Sequence, residues 1–507
     1  MPDFKTVAQL LQVGEAALPA IRAPERASLS YAGLRELAHT TVAKLNSIGI
    51  GRGDRVAIVL PNGPEMAAAF VAIAAGATTA PLNPAYKDEE FEFYLTDLNA
   101  KALVVQKGWE TPARAVAKRL GVPVLELVAG SHGGAGHFAL EGGEPALPAK
   151  AGMAQDDEVA LVLHTSGTTA RPKIVPLTHA NVTASAANIA GTLALTRVDA
   201  CLNVMPLFHI HGLIAATLAS LAAGGAVICT PGFNALRFFG WLDAERPTWY
   251  TAVPTMHQAI LTRAERNVEI IKRAPLRFIR SSSASLPAQA MRDLAAAFSA
   301  PVLESYGMTE ASHQMCSNPL PPRPQKPGLV GLPAGPEVAI MDDDGNILPK
   351  GEIGEVVIRG ANVTHGYEAN PDANAKAFTK GWFRTDDQGM FDEDGYLLLT
   401  GRLKELIKRG GEQVSPLEVD GILSEHPAVA QALTFSIPHP MLGEEVGAAV
   451  VLKDGMECSE RELREHAGKH LADYKVPKKI VFLPEIPKGA TGKLMRIGLA
   501  EKLGVTA

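Results

Sequence analysis

Over its first 400 residues the chain alternates short apolar runs with amphipathic stretches, and this alternation restricts the fold more than any other feature. Arg55–Leu60 (RVAIVL) and Leu103–Gln106 (LVVQ) read as strands buried on both faces, and the Ala-rich stretch Glu65–Ala75 between them reads as a helix. Such strands, separated by helices, predict an α/β layered domain with a parallel sheet. A Gly- and Pro-rich stretch, Gly130–Gly152, precedes a further strand at Val159–Leu163 and is expected to be a subdomain joint. Beyond residue 330 the texture changes. Val338–Met341, Asp343-Asp344-Gly345 and Glu355–Arg359 predict hairpins, and so does Phe391–Tyr396 with Asp394-Gly395 at its turn. These form an expected β-barrel-like subdomain. The C-terminal stretch mixes a helix (Glu460–His470), strands (Gln431–Phe435, Ala448–Leu452) and clustered basic side chains. The expected division is a large N-terminal unit, 1–401, and a small α+β unit, 402–507.

Charge and cysteine usage exclude several classes. Forty-eight Lys+Arg against 54 Asp+Glu leave a net charge of −6, which argues against a general nucleic-acid or membrane-surface binder. Cys201, Cys229, Cys316 and Cys458 form no CxxC pair, so neither a zinc knuckle nor a redox dithiol is indicated. Gly212–Pro231 is uncharged and near bilayer length, but Gly224 and Gly225 split it into a helix-like part and a short strand, Ala226–Cys229. No secretory signal is evident, and the terminal LGVTA is not a Ser-Lys-Leu address, so a cytoplasmic location is expected.

The sharpest local feature is His164-Thr165-Ser166-Gly167-Thr168-Thr169-Ala170-Arg171-Pro172-Lys173, directly after an apolar strand. Small hydroxyl residues and a glycine let the backbone approach an anion, and Lys173 supplies charge. The spacing is not that of a Walker A loop. Four further segments follow in order: Glu304-Ser305-Tyr306-Gly307-Met308-Thr309-Glu310, Trp382–Asp387 (WFRTDD), Gly401–Lys408 (GRLKELIK) and Pro487–Lys493 (PKGATGK). Together the five resemble the signature motifs of the adenylate-forming superfamily: acyl-CoA synthetases, adenylation domains and firefly-type luciferases.

The resemblance implies two half-reactions. A carboxylate attacks the α-phosphate of ATP, releasing pyrophosphate, and a thiol of coenzyme A then displaces AMP. It further implies that Thr165–Lys173 hold the β and γ phosphates, that Thr309 contacts the α-phosphate, and that Glu310 holds Mg²⁺. Tyr306 would stack on adenine against Ser283, Ala284 and Ser285, with Glu304, Ser305 and Gly307 also part of the nucleotide site. Asp387 and Arg402 would take the ribose, and Gln413 would sit near the AMP phosphate. Lys493 would close on the reacting groups during adenylation. The residues alone equally describe a solvated lysine in a basic tail with Lys475, Lys478, Lys479, Lys488 and Arg496. Lys404 matches the hinge of a mobile C-terminal domain, and Lys408, Gly410 and Gly411 would line the coenzyme A tunnel. Two positions depart from the family pattern. Ile174 replaces a glycine after the loop lysine, and Asp386 replaces the glycine of Thr-Gly-Asp, placing a second carboxylate beside the ribose ligand.

In this family the acyl pocket forms near Pro206–Gly212, Trp249–Pro254, Arg280–Ala284 and His313. Here that set includes His209, His211, Arg280, Ser281, Ser282 and His313. Burying a second carboxylate requires such donors, because an unpaired charge in a dry pocket is very costly, so a small dicarboxylate is expected. Pro81–Asp97, Thr248–Leu261, Leu276–Leu286 and Ser312–Pro321 resemble the oxalate–CoA ligase branch, which implies oxalate. The alternatives are malonate or a 4-coumarate-type acid, a carrier-protein-loading enzyme, and a non-catalytic adenylate-binding protein. His211 and His313 are equally readable as core histidines.

Overall fold

Helix Pro64–Ala74 (PEMAAAFVAIA) has no polar face, and every residue from Met66 to Ala74 is buried. A helix apolar all round needs cover on all sides. It lies between two sheets, touching strand Arg55–Val59 of one and strand Ala226–Cys229 of the other. The computed structural model describes residues 4–130, 134–165, 172–487 and 494–506.

The first sheet has seven strands, in the order Phe138–Glu141, Val124–Ala129, Ala102–Gln106, Arg55–Val59, Thr78–Pro81, Val159–His164 and Ile174–Thr178. The central five run parallel and the two edge strands antiparallel. Gly130–Gly152 is therefore not a joint between subdomains. It contains strand Phe138–Glu141, and the chain then returns to the same sheet at Val159–His164.

The second sheet has nine strands. Its parallel centre runs Val302–Met308, Phe278–Ser281, Trp249–Ala252, Ala200–Asn203, Ala226–Cys229 and Pro19–Arg22. Between Ala200–Asn203 and Ala226–Cys229 the chain forms a π-helix, His211–Leu218, continued by Ala219–Ala222. The sequence predicted a helix here without its widened turn. Among the described residues no helix is long and apolar enough to cross a membrane.

Antiparallel strands Glu337–Met341, Gly354–Arg359, Trp382–Phe391, Phe378–Thr379 and Leu397–Arg402 make the predicted hairpin-rich sheet. Gly395 takes φ +83° in the turn after Asp394. A last sheet carries Glu412–Val414, Ile407–Arg409, Gly443–Leu452 and Val429–His439, with Lys479–Phe482 on Gly443–Leu452. It has its own core, including Ile407, Val446, Val450 and Leu463.

Candidate active site

The hydroxyl-rich loop begins and ends at a strand pair, so its two ends are held together. His164 pairs with Ile174, the Thr165 N–H donates to the Lys173 carbonyl at 3.0 Å, and the Lys173 N–H donates to Thr165 Oγ1 at 3.3 Å. Ser166, Gly167, Thr168 and Thr169 lie outside the described residues, as does Lys493. The Lys173 ammonium stands 4.3 Å from the centroid of the Tyr367 ring, whose hydroxyl donates to Glu310 Oε1 at 2.8 Å. Sequence reasoning missed Tyr367. Its one signal is an aromatic residue after a glycine in the polar run HGYEANPDAN, which looks like a core anchor.

Strand Val302–Met308 leads into the turn Thr309–Ala311. At Gly307 the pairing with His313–Ser317 shifts register, and a Cβ there would lie 1.6 Å from the His313 carbonyl oxygen, so only glycine fits. The Tyr306 hydroxyl donates to Asp387 Oδ2 at 2.5 Å, and Arg402 Nε donates to Asp387 Oδ1 at 2.9 Å. Three strands thus converge on one carboxylate. Burial and the adjacent Asp387 push the Tyr306 hydroxyl well above its ordinary range, so it remains a neutral donor. Burial raises the Glu310 carboxyl, and the Tyr367 hydroxyl bond opposes that shift.

Glu304 and Ser305 serve protein partners. Glu304 Oε1 accepts from the Leu286 N–H at 2.8 Å, and Ser305 Oγ donates to the Ser281 carbonyl at 3.2 Å. These contacts tether the segment containing Ser283, Ala284 and Ser285, of which Ala284 and Ser285 are exposed and Ser283 is half-buried at φ +74°. Thr309, at the start of its turn, is half-buried.

A second cluster lies at the C-terminal ends of the parallel strands, where open α/β sheets bind ligands. His211 is fully buried, with Nδ1 3.1 Å from Ser283 Oγ and Nε2 2.6 Å from Thr251 Oγ1. Its ring centroid is 5.1 Å from that of His313. Arg280 is in register with Thr251 and is also fully buried. Its Nη2 is 3.4 Å from His313 Nδ1 and 3.3 Å from Gln314 Oε1, while Nε and Nη1 have no hydrogen-bond partner among the described residues. Burial pushes the guanidinium down to about 9, which leaves it charged at neutral pH. Burial first, then His313 and Arg280, push His211 well below its ordinary value, so it is neutral. Half-buried His209 adjoins them, its Nδ1 accepting the His211 N–H at 3.3 Å. Ser281 is not brought to this face. Strand alternation turns it to the opposite side, in register with Glu304.

Past Arg402 the candidates separate. Lys404 Nζ pairs with Asp386 Oδ2 at 2.6 Å. Asp386 takes φ +61° and points its half-exposed carboxylate outward to Lys404, away from the Asp387 cluster. The other departure, Ile174, is buried at the start of its strand. Lys408, Gly410, Gly411 and Gln413 form an exposed hairpin tip. Lys408 faces Gln413, and both glycines have positive φ, as a tight two-residue turn requires. Arg496 is not part of a solvated tail: it is half-buried and pairs with Glu405 at 3.2 Å and Asp420 at 2.9 Å.

The chain is similar to known proteins along its length. Residues 12–368 match the family model of the AMP-binding enzymes, and residues 418–493 match the AMP-binding enzyme C-terminal domain. A probable CoA ligase of Humulus lupulus is 47% identical, covering 93% of this chain and 91% of that protein. An oxalate–CoA ligase of Arabidopsis thaliana is 44% identical, covering 93% and 95%. The crystal structure of ATP-bound MatB from Rhodopseudomonas palustris superposes with a TM-score of 0.88 at 29% identity over 98% of each chain; apo MatB gives 0.78. The chain belongs to the AMP-binding enzyme family and is an AMP-forming acyl-CoA synthetase of the adenylate-forming superfamily.

Proposed function

We propose that this enzyme joins oxalate to coenzyme A, using ATP and releasing AMP and pyrophosphate. The observation that carries the choice of acid is Arg280: a fully buried guanidinium with two nitrogens lacking protein partners, beside neutral His211 and beside His313. An isolated buried cation is costly, and a short diacid supplies the compensating charge while its other carboxylate reaches the nucleotide. A long apolar acid gains nothing from such a wall. The similarity to a named oxalate–CoA ligase supports the same acid.

In this reading the nucleotide lies along the first cluster. Asp387, already oriented by Tyr306 and Arg402, keeps lone pairs for the ribose hydroxyls, and Tyr306 offers its ring to adenine. Thr165 and Lys173, with the loop Ser166–Thr169, hold the outer phosphates, and Thr309 contacts the inner one. Among the described residues no group of three or more His, Cys, Asp or Glu could hold a metal ion. One buried carboxylate, Glu310, therefore fits Mg²⁺ only when nucleotide phosphates complete the oxygen set. Bound there, Mg²⁺ neutralises phosphate charge. In-line displacement needs positioning and charge neutralisation above all. Lys493 assists adenylation, and units 1–401 and 402–507 then reorient about Lys404. Lys408, Gly410 and Gly411 face the coenzyme A thiol in the second half-reaction. Four free cysteines suit a cytoplasmic setting.

The test measures AMP formation with coenzyme A across oxalate, malonate, acetate and 4-coumarate. Oxalate should give the highest kcat/KM, and a large preference for coumarate would refute the pocket argument.

A further inference from the structure

We propose that Tyr367 is a positioning residue for nucleotide binding: its ring holds the Lys173 ammonium, and its hydroxyl orients the Glu310 carboxylate. This rests on the nucleotide reading above, but assigns a role to a residue outside the recognised motifs. Tyr367 lies in an irregular segment stitched to both groups that it touches. The Thr364 N–H donates to the Glu310 carbonyl at 2.7 Å, and Thr364 Oγ1 donates to the Pro176 carbonyl at 2.9 Å. The Glu368 N–H donates to the Ile174 carbonyl at 3.1 Å, one residue beyond Lys173, and the Glu368 carboxylate pairs with Arg55. The Asn374 side chain brackets Tyr367, accepting its N–H at 2.7 Å and donating to its carbonyl at 2.8 Å. The ring, 9% exposed, leans on Phe383 at 6.3 Å between centroids. Tyr367 is thus held from four sides.

That rigidity has chemical value. A lysine loses considerable rotamer freedom when fixed, and a ring face that already holds the ammonium lowers the loss on binding phosphate. A carboxylate with one oxygen on a hydroxyl presents the other in a set direction. One side chain therefore aligns the cation that meets the phosphates and the anion that meets Mg²⁺.

The two contacts separate by substitution. Tyr367→Phe keeps the ring and its packing on Phe383 but deletes the hydroxyl; Tyr367→Leu deletes both. ATP binding is measured by titration calorimetry without acid or coenzyme A, with and without MgCl₂. In Tyr367→Phe, ATP affinity without Mg²⁺ should stay within about twofold of the parent, while the tightening conferred by Mg²⁺ falls about tenfold. Tyr367→Leu should also weaken Mg²⁺-free ATP binding about fivefold, and Lys173→Ala should cost less in that background than alone. Oxalate-induced thermal stabilisation should persist in Tyr367→Phe, whereas a residue that merely supports the fold would weaken both ligands together. Unchanged Mg²⁺ tightening in Tyr367→Phe overturns the inference, and this variant decides alone if Tyr367→Leu does not fold. Failure of the unsubstituted protein to bind ATP overturns the nucleotide reading and the inference with it.

Discussion

Arg280 holds a charge where charge is expensive. It has no solvent exposure, and two of its nitrogens have no hydrogen-bond partner among the described residues. Methionine has similar length and no charge to desolvate. Arg280→Met should therefore raise the melting temperature by about 2–4 °C. The same change should lower kcat/KM for oxalate about 100-fold, with a much smaller effect on acetate. Calorimetry and steady-state kinetics on one preparation check both halves, and equal losses for the two acids would make Arg280 structural. Arg280, His211 and His313 were picked out through the family resemblance, which sets the acyl pocket at their segments, and the structure does bring the three together. Ser281 was misplaced because neighbouring letters in a sequence take opposite faces of a strand. Tyr367 was invisible because its partners, Lys173 and Glu310, come from segments far from it in the chain.

Strand Val302–Met308 illustrates how an element supports a site through contacts within the protein. Glu304 is buried, and burial raises its carboxyl from 4.5 to about 8. Between those values the folded chain keeps a proton that the unfolded chain has released, so this group makes stability fall as pH rises from about 4.5 to about 8. Glu304→Gln preserves an acceptor for the Leu286 N–H and removes the titration. Its melting temperature should match the parent near pH 5 and exceed it by about 2 °C or more at pH 8, as measured by thermal denaturation across that range. Elements such as Arg55–Val59 and Pro64–Ala74 were readable because burial on every side leaves an uninterrupted apolar run. The return of Val159–His164 to the first sheet was not, because pairing between distant strands leaves no mark on local composition. Nor does an Ala/Leu-rich stretch record whether its helical turn is widened, since it is buried all round and no exposed polar face marks the phase.

At the scale of the whole molecule, the resemblance divides the chain into units 1–401 and 402–507, and the sheet within 402–507 has its own core. The two half-reactions place different demands on them. Lys493→Ala should abolish acid-dependent pyrophosphate exchange while sparing attack of coenzyme A on preformed oxalyl-AMP, because the proposed lysine serves adenylation alone. Equal loss of both activities would rule out separate faces. The pair between Asp386 and Lys404 spans the proposed boundary, with both side chains more than half exposed. Exposed pairs are individually weak and are screened by dissolved ions. If the cap swings past this contact as proposed, dilute buffer should slow the second half-reaction and added salt should speed it, by about fivefold at most. Asp386→Asn should remove this part of the salt dependence, as turnover of preformed oxalyl-AMP with coenzyme A at low and high ionic strength would check, and the carboxylate expected to trouble the ribose would then act as a tensioner between the two units.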